Sequence, residues 1–125
     1  MISVIIPCYN EKDTIEEIIN RICKLNDVKT EIIIIDDCSN DGTKEILKNK
    51  IEKKVKKIIF NNVNSGKGFC IKTGLDHATG NIILIQDADL EYNPKEYNKL
   101  TKPIYDNIAD VVYGSRFIGG DEKRI

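Results

Sequence analysis

Short runs of isoleucine, valine and leucine recur along this chain, and the segments between them show helical spacing of apolar residues. Runs that are apolar at nearly every position are typical of parallel strands buried on both faces. Their alternation with helices predicts an α/β fold with a mainly parallel sheet and helices on both faces. The predicted strands are residues 2–6, 31–35, 57–61, 82–86 and 110–113.

The segment between the first two strands is predicted to be an amphipathic helix. Its apolar residues follow the i, i+3, i+4, i+7 spacing that puts side chains on one face, and Asp13 or Thr14 is available as its cap. These apolar residues are Ile15, Ile18, Ile19, Ile22 and Leu25. Further helices are predicted to begin near Asp41, just after the turn 66–68, and after Pro94, because proline suits a first helical turn. Each would start beside the carboxyl end of a strand.

Length and charge exclude several classes of protein. At 125 residues the chain is one domain, long enough to bury roughly two thirds of its unfolded surface. The formal net charge of -1 provides no broad field for nucleic acid or an anionic membrane. No apolar run approaches the roughly 18 residues that span a bilayer, and the N-terminus lacks the basic segment of a signal peptide. We therefore expect a cytoplasmic protein that does not bind nucleic acid.

The cysteines and the single histidine are not arranged as a metal site. Cys8, Cys23, Cys38 and Cys70 are widely spaced, with no CxxC pair and no histidine cluster beside them. They are predicted to be reduced, semi-buried thiols. His77 lies before Gly80 on the third predicted helix, where we expect a helix-end residue rather than a catalytic base.

Two aspartates follow the fourth predicted strand at alternate positions. Residues i and i+2 of an extended segment project to the same side, so Asp87 and Asp89 can converge on one point, with Glu91 next in the series. Hard oxygen donors of this kind suit Mg²⁺ or Mn²⁺, which keep open positions for phosphate oxygens. The alternative is a solvated acidic turn, and the pair alone does not decide between them.

Polar residues also follow the other predicted strands, at the edge where open α/β sheets bind ligands. After the first strand, Tyr9 either packs or flanks a heterocyclic base. After the second, Asp36 and Asp37 either cap a helix or grip a ribose. After the third, residues 66–68 form either an ordinary tight turn or an anion cradle at a helix start. Together the four strand ends offer a base platform, a ribose clamp, a diphosphate cradle and a metal site, which favours a nucleotide ligand.

Five segments resemble a known enzyme family. They are PCYNE (7–11), DDCSNDGT (36–43), NSGKG (64–68), GNIILIQDADLEY (80–92) and GSRFIGGD (114–121). In order and spacing they resemble the inverting nucleotide-sugar glycosyltransferases of GT-A fold, most of all the dolichyl- or polyprenyl-phosphate hexosyl synthases. The resemblance covers the whole chain and implies a Rossmann-like nucleotide-sugar-binding domain.

The resemblance also implies roles for residues that bind the donor, a UDP- or GDP-linked sugar. Pro7, Tyr9 and Glu11 would border the nucleobase, Asp36 and Asp37 the base and ribose, and Lys67 the diphosphate. The choice between uridine and guanosine, and between glucose and mannose, stays open.

By the same resemblance, Asp87, Asp89 and Glu91 would hold Mg²⁺ or Mn²⁺. The family's lipid-phosphate branch often has glutamine at the last of these positions, so Glu91 would add charge. Arg116, in a loop over the active site, would face the phosphates of donor or acceptor, as would Arg124. The alternative for Arg116 is a surface salt bridge. Asp89 and Arg116 are the residues to which catalysis is assigned.

The implied reaction moves a hexose, with inversion, from the nucleoside diphosphate to an acceptor. A monoester phosphate, with a second pKa of about 6, is already ionised at neutral pH, so a lipid-phosphate acceptor needs no catalytic base. That agrees with a sequence in which Asp121 and Glu122 are the only candidates for one. The enzyme would work at the cytoplasmic face of a membrane, where its lipid acceptor lies.

The family continues beyond GSRFIGG into an acceptor-binding part, so residues 1–125 are expected to be the donor-binding part only. A nucleotide-sugar-binding module with little or no transfer activity is therefore the alternative function. An exposed sheet edge after Tyr113 would favour pairing with another copy of the chain. A phospho-receiver domain is disfavoured because the acidic pair follows the second strand instead of the first. A dinucleotide-binding fold is disfavoured because no G-x-G-x-x-G follows the first strand.

Overall fold

The computed structural model describes residues 1–89, residue 94 and the backbone of residues 111–113. Within these residues the strands are β1 (Ile2–Cys8), β2 (Thr30–Asp36), β3 (Lys57–Phe60), β4 (Ile82–Ile85) and β5 (Val111–Tyr113). They form one sheet in the order β3-β2-β1-β4-β5, and every neighbouring pair is parallel. The predicted parallel α/β fold is confirmed, although β3 and β4 each end one residue earlier than predicted.

The strand order reverses beside β1. The chain starts in the centre of the sheet, moves outward through β2 and β3, and then returns to add β4 on the other side of β1. Connections on the two sides of such a reversal leave in opposite directions, which opens a crevice at the carboxyl ends of the two central strands. The fold therefore puts a ligand crevice where β1 and β4 end.

The described helices lie where the sequence predicts them. They are α1 (Ile15–Cys23), α2 (Thr43–Ile46) and α3 (Lys67–His77); after α2 the chain continues through a π-helical turn (Leu47–Ile51) and a 3₁₀ turn (Glu52–Lys54). The helix predicted after Pro94 lies outside the described residues. His77 is the last residue of α3, as expected. None of the described helices is long and apolar enough to cross a membrane.

The predicted cap of α1 is confirmed in its position but not in its hydrogen bond. Thr14 occupies the N-cap position, but no side-chain hydrogen bond caps the helix. Its hydroxyl donates instead to the backbone carbonyl of Ala88, which follows β4. The start of α1 is therefore tied to the acidic segment after β4 rather than to its own first turn.

Both faces of the sheet are covered, and the alternation of side chains along β1 assigns each face its helices. Val4 and Ile6 pack in a cluster with α1 and the π-helical turn, and Ile5 packs in a second cluster with α3. All four predicted isoleucines of α1 are buried in the first cluster. The second cluster contains Ile33, Ile35 and Cys70 and is smaller.

The close contact between α3 and the sheet depends on Gly74. A Cβ atom at this position would lie 2.5 Å from Cγ2 of Ile5 and 3.0 Å from Cδ1 of Ile35. Real Cβ atoms do not approach other heavy atoms so closely, so only glycine fits. This contact brings the first turn of α3 down to the carboxyl edge of β1 and β2.

Candidate functional site

A cleft of about 200 Å³ lies at the carboxyl edge of the sheet, where β1 and β4 end. Of the eight predicted site residues within residues 1–89, seven line this cleft. They are Pro7, Tyr9, Glu11, Asp37, Lys67, Asp87 and Asp89. The fold therefore brings together residues that are up to 82 positions apart in the chain, from four different loops.

A lysine from the start of α3 meets an aspartate from the end of β4 in this cleft. The Nζ atom of Lys67 lies 2.7 Å from Oδ1 of Asp87. The Asp87 side chain is 9% exposed and that of Lys67 is 45% exposed. The predicted anion cradle and the predicted acidic run are thus in direct contact.

Asp37 organises the turn that leads into α3. Its Oδ1 accepts hydrogen bonds from the backbone N–H of Ser65 (2.8 Å) and from Nδ2 of Asn61 (3.0 Å), and its Oδ2 accepts one from the N–H of Gly66 (2.9 Å). Burial raises the pKa of Asp37, but these hydrogen bonds outweigh it and hold the pKa below its ordinary value. Gly66 has a φ of +95°, a conformation that glycine adopts without strain. The ionised Asp37 therefore fixes the position from which Lys67 projects.

Asp36, the eighth predicted residue, is completely buried and does not line the cleft. Its carboxylate accepts hydrogen bonds from the N–H (3.1 Å) and the hydroxyl (2.5 Å) of Ser39. The structure therefore does not bring Asp36 to a ligand directly. Its position supports the loop after β2.

Two loops beside the cleft are joined by polar residues that the sequence did not single out. The hydroxyl of Ser39 accepts from the N–H of Asn10, and Oδ1 of Asn10 accepts from the N–H of Asn40, both at 2.9 Å. The hydroxyl of Thr43 accepts from the N–H of Glu11 at 3.0 Å. Asn10 also has a positive φ of 53°, which asparagine tolerates better than most residues. The available signal was an asparagine in the loop that follows β1, because asparagine tolerates positive φ.

Glu11 lies in negative surroundings. Burial is the largest cause that raises the pKa of its carboxyl group above the ordinary value, and the charges of Asp89, Asp41 and Asp87 raise it further. A hydrogen bond from Thr14 acts in the opposite direction. The acids around the cleft thus create a local potential that favours a cation.

Hard oxygen atoms are available for a divalent ion in the cleft. Asp87 and Asp89 both line it, and carboxylate oxygens are the ligands that Mg²⁺ and Mn²⁺ prefer. Among the described residues, no group of three His, Cys, Asp or Glu side chains is close enough to hold a metal ion. Glu91, the third predicted ligand, lies outside the described residues, as do Arg116, Asp121, Glu122 and Arg124. The chemistry of the two aspartates fits the ion.

Comparison with known proteins shows the family of the chain. The model of "Glycosyl transferase family 2" matches residues 3–125. The chain belongs to this family. The dolichol-phosphate mannosyltransferase of Pyrococcus furiosus is 35% identical over 120 residues, which is 95% of this chain and 34% of that protein. The chain thus spans about a third of the length of this curated relative.

Two solved structures share the fold of this chain. A mannosyltransferase from Pyrobaculum calidifontis, in complex with GDP-Man and Mn²⁺, matches with a TM-score of 0.64 and 32% identity over 70% of this chain and 27% of its own. TarS of S. aureus, in complex with UDP-GlcNAc, matches with a TM-score of 0.68 and 28% identity over 84% of this chain and 31% of its own. The predicted family and GT-A-like fold are therefore confirmed.

Proposed function

We propose that this chain is the donor-binding part of a metal-assisted, inverting glycosyltransferase that moves a hexose from a nucleoside diphosphate to a lipid phosphate. The observation that carries the proposal is the contact of Lys67 with Asp87 at the strand-order reversal, with Asp89 and Glu11 in the same cleft. Lys67 can bind phosphate, and Asp87 and Asp89 beside it can bind a metal ion. This combination suits a nucleoside-diphosphate sugar. The two structural neighbours in complex with GDP-Man and UDP-GlcNAc support the same class of donor.

The nucleoside is proposed to lie against the loops after β1 and β2. Tyr9 is 46% exposed in the cleft, so its ring face is accessible to a base, with Pro7 and Glu11 beside it. The carboxylate oxygens of Asp37 are occupied by the turn before α3. We therefore assign to Asp37, and to the buried Asp36, the task of shaping the loops that border the base and ribose.

The departing diphosphate is proposed to be stabilised by Lys67 and the first turn of α3. Negative charge develops there as the bond to the sugar breaks, and preorganised positive groups are most effective where charge develops. A bound Mg²⁺ or Mn²⁺ would supply Lewis-acid stabilisation there, held by Asp87, Asp89 and Glu91. Further positive charge would come from Arg116 and Arg124.

A lipid phosphate is the acceptor that best suits these residues. It is already ionised at neutral pH and needs no general base, and the base candidates Asp121 and Glu122 are then not required. The relative from Pyrococcus furiosus is named for transfer to dolichol phosphate, which supports the same acceptor class here. Such an enzyme would act at the cytoplasmic face of the membrane.

A transfer assay with two matched acceptors tests the proposal. A protein in which this donor-binding part is joined to the family's acceptor-binding part is supplied with UDP- or GDP-linked hexoses, Mn²⁺ and either polyprenyl phosphate or the corresponding polyprenol. We expect labelled hexose in the lipid fraction with polyprenyl phosphate and none with polyprenol, because the alcohol would need a base. Equal transfer to both lipids would contradict the acceptor assignment. Donor binding without transfer to either would indicate a nucleotide-sugar-binding module.

A further inference from the structure

Lys67 holds a position in the cleft that a metal ion would need. Its ammonium group lies 2.7 Å from Oδ1 of Asp87, one of the two carboxylates proposed to bind the metal. Asp87 is buried, and a buried carboxylate is costly unless a cation or hydrogen bonds compensate its charge. Lys67 therefore supplies to Asp87 a positive charge of the kind that a divalent ion would supply.

The contact is built into the fold rather than reached by a freely moving surface lysine. The turn before α3 is fastened to Asp37 through the N–H groups of Ser65 and Gly66. Helix α3 begins directly after this turn, at Lys67, and the packing of Gly74 against β1 and β2 holds the helix on the sheet. The base of the Lys67 side chain is thus fixed, while its end is half exposed and can move.

A metal ion and the ammonium group cannot both sit against the same carboxylate oxygen without strong repulsion between like charges. A nucleoside diphosphate changes this balance, because it gives Lys67 a second anionic partner in the same cleft. We propose that Lys67 is a stand-in cation. Its ammonium group pairs with Asp87 before metal binds and moves to the diphosphate when metal and nucleotide bind together. This inference rests on the proposed function and adds a coupling between the two ligands.

The coupling has a defined direction. In the absence of nucleotide, Mn²⁺ must displace Lys67 from Asp87 with no diphosphate to receive the ammonium group, so metal alone binds weakly. With nucleotide present, the displaced lysine gains the diphosphate, so the metal binds more tightly. Because coupling is reciprocal, Mn²⁺ must strengthen nucleotide binding by the same factor.

The test measures the Kd of Mn²⁺ from the electron paramagnetic resonance signal of free Mn²⁺, with and without UDP or GDP. In Lys67→Met we expect Mn²⁺ alone to bind several-fold more tightly than in the wild type. The ratio of the Kd values without and with nucleotide should fall by at least the same factor. Lys67→Arg retains a cation that can pair with Asp87, so Mn²⁺ alone should bind to it no more tightly than to the wild type.

Lys72→Met is the matched control. Lys72 is an exposed lysine further along α3 and does not line the cleft, so its loss changes the net charge equally without uncovering Asp87. We expect its Kd for Mn²⁺ to be unchanged. If Lys72→Met instead binds Mn²⁺ as tightly as Lys67→Met does, the loss of one positive net charge would explain the effect, and the proposed role of Lys67 would be wrong. Thermal melting checks that each variant is folded, and Lys67→Gln repeats the test if the methionine variant is not.

The possible failures are distinguishable. If Mn²⁺ binds to Lys67→Met no more tightly than to the wild type, the proposed role of Lys67 is wrong. The proposed function still holds in that case, provided that metal and nucleotide bind and that their binding depends on Asp89. A wild-type chain that binds neither Mn²⁺ nor nucleotide would overturn both proposals.

Discussion

Replacement of Glu31 by glutamine is expected to destabilise the fold by up to about 3 kcal/mol at neutral pH. Glu31 lies near the start of β2, at the opposite edge of the sheet from the cleft, and is 9% exposed. Its carboxylate accepts hydrogen bonds from Lys56 Nζ (2.8 Å), the N–H (2.6 Å) and hydroxyl (2.7 Å) of Thr79, the N–H of Gly80 (3.1 Å) and the hydroxyl of Ser3. It thus joins β1, β2 and the loops before β3 and β4.

The magnitude follows from the pKa of this carboxyl group. Burial alone would raise the pKa, but the hydrogen bonds from Lys56, Ser3 and Thr79 prevail and lower it from 4.5 to about 2. Each unit of pKa corresponds to about 1.4 kcal/mol between the charged and neutral forms, which gives the figure of about 3 kcal/mol. This is an upper figure, because the Lys56 side chain is 39% exposed and its charge is partly screened.

Urea denaturation of the wild type and Glu31→Gln between pH 7 and pH 2 measures the effect. The folded pKa lies below the unfolded one, so the stabilisation is complete above about pH 5 and is lost as pH falls through 4.5 towards 2. The difference between the two proteins should shrink over that range. Glu52→Gln, at an exposed glutamate, should change stability by less than about 0.5 kcal/mol. If the difference in free energy of unfolding between the wild type and Glu31→Gln does not vary with pH, or is as small as in the control, the ionised Glu31 carboxylate does not stabilise the fold as described.

Two further predictions concern packing and thiol chemistry. Gly74→Ala should lower the free energy of unfolding by about 1–3 kcal/mol, because its Cβ would overlap Ile5. Gly68→Ala is the control: no atom lies within 4 Å of its new Cβ, so it should be neutral or slightly stabilising. Equal melting temperatures for the two variants would contradict the packing of α3 against the sheet. A colorimetric thiol reagent should modify the exposed Cys23 first and the buried Cys8 and Cys70 last. For Cys70, burial and the charge of Asp37 raise the thiol pKa from 9.0 to about 11, which lowers the thiolate fraction roughly 100-fold. Mass spectrometry of the labelled peptides gives the order, and early labelling of Cys70 would be inconsistent with it.

The strands were predictable because each is a continuous apolar run, and so was α1, because its isoleucines have helical spacing. Thr14 was also predictable as a cap of α1, but the bond of its hydroxyl to Ala88 was not, since this partner lies 74 residues away and no local pattern reveals it. Glu31 gave a weak signal as an acid directly before a run of four isoleucines. Its partners become identifiable only once the strands are in register.

The sequence predicted which loops form the candidate site but not which residue of each loop faces the cleft. Adjacent residues at the end of a strand point to opposite faces, so Asp36 and Asp37 could not both enter one cleft. Asp37 follows the face of Ile33 and Ile35, which α3 covers, and therefore meets the turn before that helix. Which acid faces α3 depends on the assignment of helices to faces, and that is a property of the assembled fold.

The cleft is proposed to bind a nucleoside-diphosphate sugar together with a divalent metal ion held by Asp87 and Asp89. Calorimetric titration of UDP- and GDP-linked sugars with and without Mn²⁺ tests it directly in the wild type, in Asp89→Asn and in Asp76→Asn, a matched change at an exposed position on α3. We expect Mn²⁺-dependent binding in the wild type and in Asp76→Asn. In Asp89→Asn that binding should be lost with little change in melting temperature. Binding that is indifferent to Mn²⁺, or an Asp89→Asn variant that loses stability as much as affinity, would contradict the account.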